Sequence, residues 1–314
     1  MRQFAPTALL IAAAFSLPAT AQTSNATVTQ LVGDATRLKA AENVLTLTDG
    51  RVLVTYNGGI NELRGLPNGP VTVQPLTAPN CYYAGIVEWK GYVYAVCSDN
   101  FGLPISGARM VAAPVTADLA NTAFRSIASL SNVAGPNGMA VSETGVFYFA
   151  DSGLYLPSMP GKVVALTLSS PTVVASQKTV YNSLGRPNGV RYDRNAKAVY
   201  FTENPVYNGT ALSNLKRATP NGTNAFSQTT TVLSLSGYLD DFTLSSSGAV
   251  LTNAGNNTVI HYNEQTKATT VLSGAFGQPT SVGFRCPTCN DLLVTDLKNN
   301  AVYSMVPTAP LSAR

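Results

Sequence analysis

Apolar residues in this chain come in short runs rich in Val, Leu, Tyr, Phe and Thr, broken by Gly, Pro, Asn and Asp. That pattern predicts many short strands joined by tight turns. Sustained patterning at the helical period of 3.6 is nearly absent; Ala120 to Leu130 is the one stretch that reads as briefly helical.

The strand pairs repeat. Ala41–Tyr56, Pro136–Asp151, Pro187–Glu203 and Leu239–Asn253 each read strand, tight turn, strand, and weaker copies start near Tyr83-Ala84 and Pro279-Thr280. Anchor positions near residues 42, 84, 137, 188, 240 and 280 give a period of about 40–53, the length of a four-stranded propeller blade. A single blade leaves both faces exposed, whereas six in a ring bury them against one another. The expected fold is therefore all-β: a six-bladed β-propeller around a central tunnel. Asn25 to Leu31 is expected to supply the strand that closes the ring with the last blade. A sandwich or jelly roll would explain the strands but not the repeat, and the His and Trp-Asp marks of seven-bladed repeats are missing.

The innermost strand of each blade lines the axis, so equivalent positions at the strand starts converge. Those positions hold Glu42, Asn137, Asn188 and Asp240, all bearing side-chain oxygen. A Gly eight residues later in three copies (Gly50, Gly145, Gly248) fixes the register. Pro-Asn-Gly alone is a favoured turn tripeptide, but turn chemistry does not explain two acids at the same register. Two carboxylates and two carboxamides suit a hard divalent cation, and one calcium ion is expected. With no Cys or His among them, zinc and copper are disfavoured. Asp240 and Glu42, the two carboxylates of the set, are the catalytic candidates. Asp241, next to Asp240, is read as either exposed or a supporting acid.

The second strand of each hairpin returns to the anchor end at Asn57, Asp99, Asp151, Glu203, Asn253 and Asp296. Most of these are expected to be turn caps; Asp151, Glu203 and Asn253 are kept, with Asp241, as residues that support the site or touch substrate. Substrate choice is assigned to the loops Ser98 to Ala112 and Tyr155 to Gly161.

These anchors, with Pro187-Asn-Gly and Leu239-Asp-Asp-Phe, resemble the senescence-marker-protein/gluconolactonase family of six-bladed propellers. Its superfamily includes paraoxonases, diisopropylfluorophosphatase-type enzymes and strictosidine-synthase-like proteins. The resemblance implies that Glu42, Asn137, Asn188 and Asp240 are calcium ligands, that the activity is hydrolysis of a lactone or related small ester, and that Asp240 accepts a proton from the attacking water. A metal-free enzyme of the strictosidine-synthase kind, or a cyclase or isomerase using Glu42 as base, is a second class. A non-catalytic binding propeller with a structural metal is a third.

The remaining features narrow the setting. Residues 1–21 read as a signal peptide: Arg2, the apolar run Thr7 to Leu17, then Ala19-Thr20-Ala21. Residues 22–314 are then one domain, secreted or periplasmic. No other run is long enough to span a membrane. Charged residues make up only 11% and the net charge is +4 with no basic run, so neither nucleic acid nor membrane is an expected partner; a small molecule is. Four cysteines in an exported chain favour disulfides, Cys81 with Cys97 across a hairpin turning near Trp89-Lys90-Gly91 and Cys286 with Cys289 as a turn clip. The alternative for Cys286-Pro-Thr-Cys289, half a zinc site, lacks nearby partners. Asn25, Asn208, Asn221 and Asn256 each begin a glycosylation triplet. The single histidine, His261, is read as structural, and no Gly-x-Ser-x-Gly elbow or dinucleotide fingerprint occurs.

Overall fold

The computed structural model describes residues 25–99, 107–153, 161–206 and 212–314. The proposed leader, the Asn208 triplet and most of the two candidate specificity loops lie outside them.

Six four-stranded antiparallel sheets form a six-bladed propeller. In blade 1 the strands are Val44–Thr46, Val52–Tyr56, Gly59–Arg64 and Thr72–Pro75. The inner strands of blades 2 to 6 are Tyr82–Trp89, Pro136–Val141, Arg186–Asp193, Leu239–Ser245 and Pro279–Phe284. These are the six repeats expected from the pattern. Gly50 (φ 90°) and Gly145 (φ 82°) make the tight turns in the left-handed region that other residues avoid. Lys90 and Gly91, also at positive φ, turn the predicted blade 2 hairpin.

The core is six apolar clusters, one at each junction between neighbouring blades. Leu53 and Ile60 of blade 1 meet Tyr83 and Ala95 of blade 2; Tyr94 and Met110 of blade 2 meet Phe147 and Phe149 of blade 3. Tyr148 and Val163 pack on Val199 and Phe201, Tyr200 on Phe242, and Val250 on Val282. The last cluster joins Leu293 and Val302 of blade 6 to Val52 and Val54 of blade 1. The ring is therefore closed by packing. It is also closed by hydrogen bonds, because Ala26–Gly33 pairs antiparallel with Ala301–Pro307 as the outer strand of blade 6.

The helical reading of Ala120 to Leu130 is corrected. A single 3₁₀ turn occupies Leu119–Asn121, and Arg125–Ser129 is the outer strand of blade 2. Pairing of this segment with the third strand, Arg109–Pro114, overrides its weak local pattern. The two disulfides are Cys81–Cys97 and Cys286–Cys289, as expected. Trp89 packs edge-on against Phe147, with ring centroids 5.5 Å apart. His261 sits on the third strand of blade 5, Thr258–Asn263, bonded to Ser247 Oγ at 2.9 Å, and burial lowers its pKa. Among the described residues no helix is long and apolar enough to cross a membrane.

A recurring threonine fixes the inner strands. The Thr202 hydroxyl accepts the Gly189 N–H at 2.8 Å and donates to the Asp240 carbonyl of the next blade at 2.7 Å. Thr55 does the same between Asn43 and Ala84, Thr252 between Asp241 and Thr280, and Thr295 between Ser281 and Glu42. Each hydroxyl thus satisfies a donor on its own blade and an acceptor on the neighbour. Replacing Thr202 with Val keeps the shape but strands two buried backbone groups. Urea unfolding should show a loss of about 2 kcal/mol or more, with Thr202→Ser much milder; equal effects of Val and Ser would show that the hydroxyl is not what matters.

Candidate functional site

Three of the inner strands open with an irregularity in register that spans the anchor: between Pro136 and Met139, Pro187 and Val190, and Leu239 and Phe242. There the backbones of neighbouring blades come into contact around the axis. A Cβ on Gly138 would lie 2.6 Å from the Asn188 carbonyl oxygen, and one on Gly189 would lie 2.6 Å from Asp241 Oδ1. Only glycine permits this approach, which explains the Gly of each Pro-Asn-Gly beyond any turn preference.

Of the four predicted anchors, Glu42, Asn188 and Asp240 meet, and Asn137 sits at the start of the adjoining inner strand. Glu42, 6% exposed, lies just ahead of the blade 1 inner strand and accepts the Tyr82 hydroxyl at 3.5 Å. The Asn188 side chain is 2% exposed; its Nδ2 donates to the Tyr238 hydroxyl at 3.1 Å. Asp240 is 5% exposed and interacts with both Glu42 and the Asn188 carboxamide. Asn137 is half-buried, and its Nδ2 donates to Ser152 Oγ at 3.3 Å, which in turn donates to the Pro187 carbonyl at 2.7 Å.

What these side chains lack is as informative. Asn137 Oδ1, Asn188 Oδ1 and Asp240 Oδ1 are buried and accept no hydrogen bond. A buried acceptor without a partner costs about 1–3 kcal/mol, so three at the starts of successive inner strands call for a donor or a cation. Both carboxamides use their nitrogen on the protein and leave the oxygen unused. Among the described residues no three His, Cys, Asp or Glu side chains make a metal-binding group; the donor set is the mixed one of carboxylates and carboxamides. Those hard oxygens fit calcium.

Asp241 is not exposed. At 1% exposure it pairs with Arg191 and accepts Ser281 Oγ at 2.7 Å, while its Oδ1 has no hydrogen-bond partner. Burial and the charge of Asp241 push the Glu42 carboxyl up to about 8. Burial, then Glu42 and Asp241, carry Asp240 well above the usual carboxylate range. Burial also raises Asp241, although Arg191 and Ser281 pull against it.

The strand-end residues hold loops. Asp151 accepts the backbone N–H groups of Gly135 at 2.7 Å and Ala134 at 3.1 Å, just ahead of Asn137, and pairs with Lys162 at 3.4 Å. Glu203 accepts Ser183 Oγ at 2.6 Å, ahead of Asn188, and pairs with Lys216 at 3.1 Å. Asn253 donates to the Ser236 carbonyl at 2.9 Å, ahead of Asp240. Asp296 accepts the N–H groups of Gly277 and Gln278. Each secures the segment entering its own blade. Sequence reasoning missed Arg191, Tyr82, Tyr238 and Ser152, which no repeat position marks. It also missed the threonines, although Thr55, Thr202, Thr252 and Thr295 share one place in the repeat.

Two outcomes follow. Glu42 ionises near 4.5 when unfolded and near 8 when folded. Between those values the unfolded chain has released its proton and the folded chain has not, so rising pH favours unfolding. The melting temperature of cation-free protein should fall from pH 5 to pH 8. Added calcium should restore it most at pH 8, with affinity rising up to about tenfold per pH unit as a proton is displaced. A pH-independent calcium shift in thermal unfolding would contradict this. Gly189→Ala should push Asp241 away from Asn188 and cut calcium affinity at least about tenfold by calorimetry; retained affinity would show that the tight approach is not needed.

A family model described as SMP-30/Gluconolactonase/LRE-like region matches residues 17–298. Among curated proteins, none matches this sequence. Solved structures resemble the fold at low identity. A glucose dehydrogenase is 13% identical with a TM-score of 0.67, over 90% of this chain and 100% of that one. A regucalcin from Agrobacterium tumefaciens, described as a calcium-binding protein, is 14% identical with a TM-score of 0.64, over 90% and 96%. A chain of a nidogen/laminin complex is 15% identical with a TM-score of 0.63, over 83% and 96%. At such identities the likeness is one of fold.

Proposed function

The chain belongs to the SMP-30/gluconolactonase/LRE-like family, and on that premise we propose that it is an exported, calcium-dependent hydrolase of a lactone or related small ester. The observation that carries the reading is the set of buried, unpartnered oxygens on Asn137, Asn188 and Asp240 at the starts of successive inner strands, with Glu42 acting on Asp240. Glu42, Asn137, Asn188 and Asp240 would hold the ion. When bound, it supplies a Lewis acid that polarises the ester carbonyl and stabilises the charge developing on its oxygen.

The protein's own groups do the rest. Asp240 accepts the proton from the water that attacks the carbonyl carbon, and returns it to the leaving alkoxide oxygen as the ester C–O bond breaks. The Tyr82 hydroxyl orients the Glu42 carboxylate. Tyr238 and Ser152 take the amide nitrogens of Asn188 and Asn137 and so turn the oxygens toward the site. Asp151, Glu203 and Asn253 hold the loops from which the anchors enter. Two disulfides in a chain with an export-type leader support a secreted or periplasmic setting.

A second reading has one observation in its favour. A Glu42 carboxyl pushed up to about 8 is poised as an acid or base near neutral pH without a metal, as a cyclase or isomerase would use it. Elemental analysis followed by a lactone and ester panel with and without chelator separates the two. The hydrolase reading expects bound calcium, loss of turnover on chelation with the fold retained, and a loss of about a hundredfold or more in kcat for Asp240→Asn. Undiminished hydrolysis by chelated protein, or by Asp240→Asn, overturns it. Bound calcium with no turnover on any lactone or ester favours a binding propeller.

A further inference from the structure

The charges at the axis do not balance, and the imbalance has a definite size. Glu42, Asp240 and Asp241 are all buried at the ring centre. Asp241 pairs with Arg191, and the three carboxyl groups act on one another. Three carboxylates against one guanidinium leave two negative charges, in a place where an uncompensated charge is costly.

Arg191 belongs to the same inner layer. It lies on the inner strand of blade 4, Asp241 on that of blade 5 and Ser281 on that of blade 6. Its guanidinium is held by its own surroundings: Nη1 donates to the Val190 carbonyl at 2.8 Å, and the guanidinium carbon lies 5.8 Å from the centre of the Phe242 ring. Both Arg191 Nη2 and Ser281 Oγ bond Asp241 Oδ2. The other oxygen, Oδ1, is left without a hydrogen bond against Gly189, next to Asn188. A pair serving only to fill the tunnel would not leave that atom bare on the side of the anchors.

We infer that Arg191 is a resident monovalent cation of the tunnel, which sets the charge this site takes up at that of one divalent ion. The inference rests on the proposal that the anchors hold a cation, and goes beyond it by assigning the valence and stoichiometry to a residue outside the ligand set. Arg191 occupies the place of a further ion, and Asp241 adds its field to the cage while remaining paired.

Four proteins test it: the unaltered chain, Arg191→Met, Asp241→Asn and the double variant. Each is titrated with Ca²⁺ and with Tb³⁺ by calorimetry and by tyrosine-sensitised terbium luminescence, with circular dichroism to verify the fold. The unaltered protein should bind one calcium ion. Arg191→Met leaves three charges, so its preference for Tb³⁺ over Ca²⁺ should rise about tenfold or more. Asp241→Asn leaves one, so calcium affinity should fall about tenfold or more. The double variant restores the original balance and should return to within about threefold of the unaltered protein. Should Arg191→Met not fold, the gain in calcium affinity from Asp241→Asn to the double variant carries the same test. Equal ion preference across the folded variants, with calcium still bound, overturns the role of Arg191 alone. Failure of the unaltered protein to bind either ion overturns the cation site, and this inference with it.

Discussion

A hydroxyl shared between two blades is the interaction on which the site depends. Each of these threonines, on the second strand of its blade, ties the residue after one anchor to the carbonyl of the next anchor around the ring. Apolar packing between blades is non-directional and tolerates small slips; these hydrogen bonds do not. They hold the anchor of one repeat at a fixed height against its neighbour, so side chains from distant segments meet at one level. Blades 2 and 3 have Val96 and Ala150 where the others have threonine. There Gly85 and Gly138 bring the backbones together directly.

The same geometry makes the centre electrostatically unfavourable when empty of cations. Burial, mutual repulsion and unpartnered oxygens all act against the folded state at the axis. The structure tolerates this because six apolar junctions and a closed ring stabilise the rest. Functional sites often hold such local cost in a scaffold that is stable elsewhere. Here the cost falls on groups whose chemistry a hard cation would satisfy.

Much of this arrangement was legible in the chain itself. The repeat and the turn glycines specified the blades, and matched register singled out Glu42, Asn137, Asn188 and Asp240, of which Glu42, Asn188 and Asp240 meet. The pattern left Asp241 open between an exposed and a supporting acid; its burial against Arg191 and Ser281 depends on the neighbouring blades, which no residue type announces. Arg191 was equally hidden, since a single arginine on a strand reads as surface until its partner on the next blade is known. The segment Ala120 to Leu130 misled for a related reason: its strand character comes from the edge it covers, not from its own pattern. Asp151, Glu203 and Asn253 were recognisable as strand-end groups, but which loop each would grip depended on tertiary contacts.

The pairing of Ala26–Gly33 with Ala301–Pro307 carries a consequence for biogenesis. The first of the described strands finds its partner only after the other five blades have been made. Until then blade 6 has no outer edge, and the strand awaiting it presents unpaired backbone groups. Once latched, the ring gains resistance to unravelling, because no terminal sheet is left free to peel away.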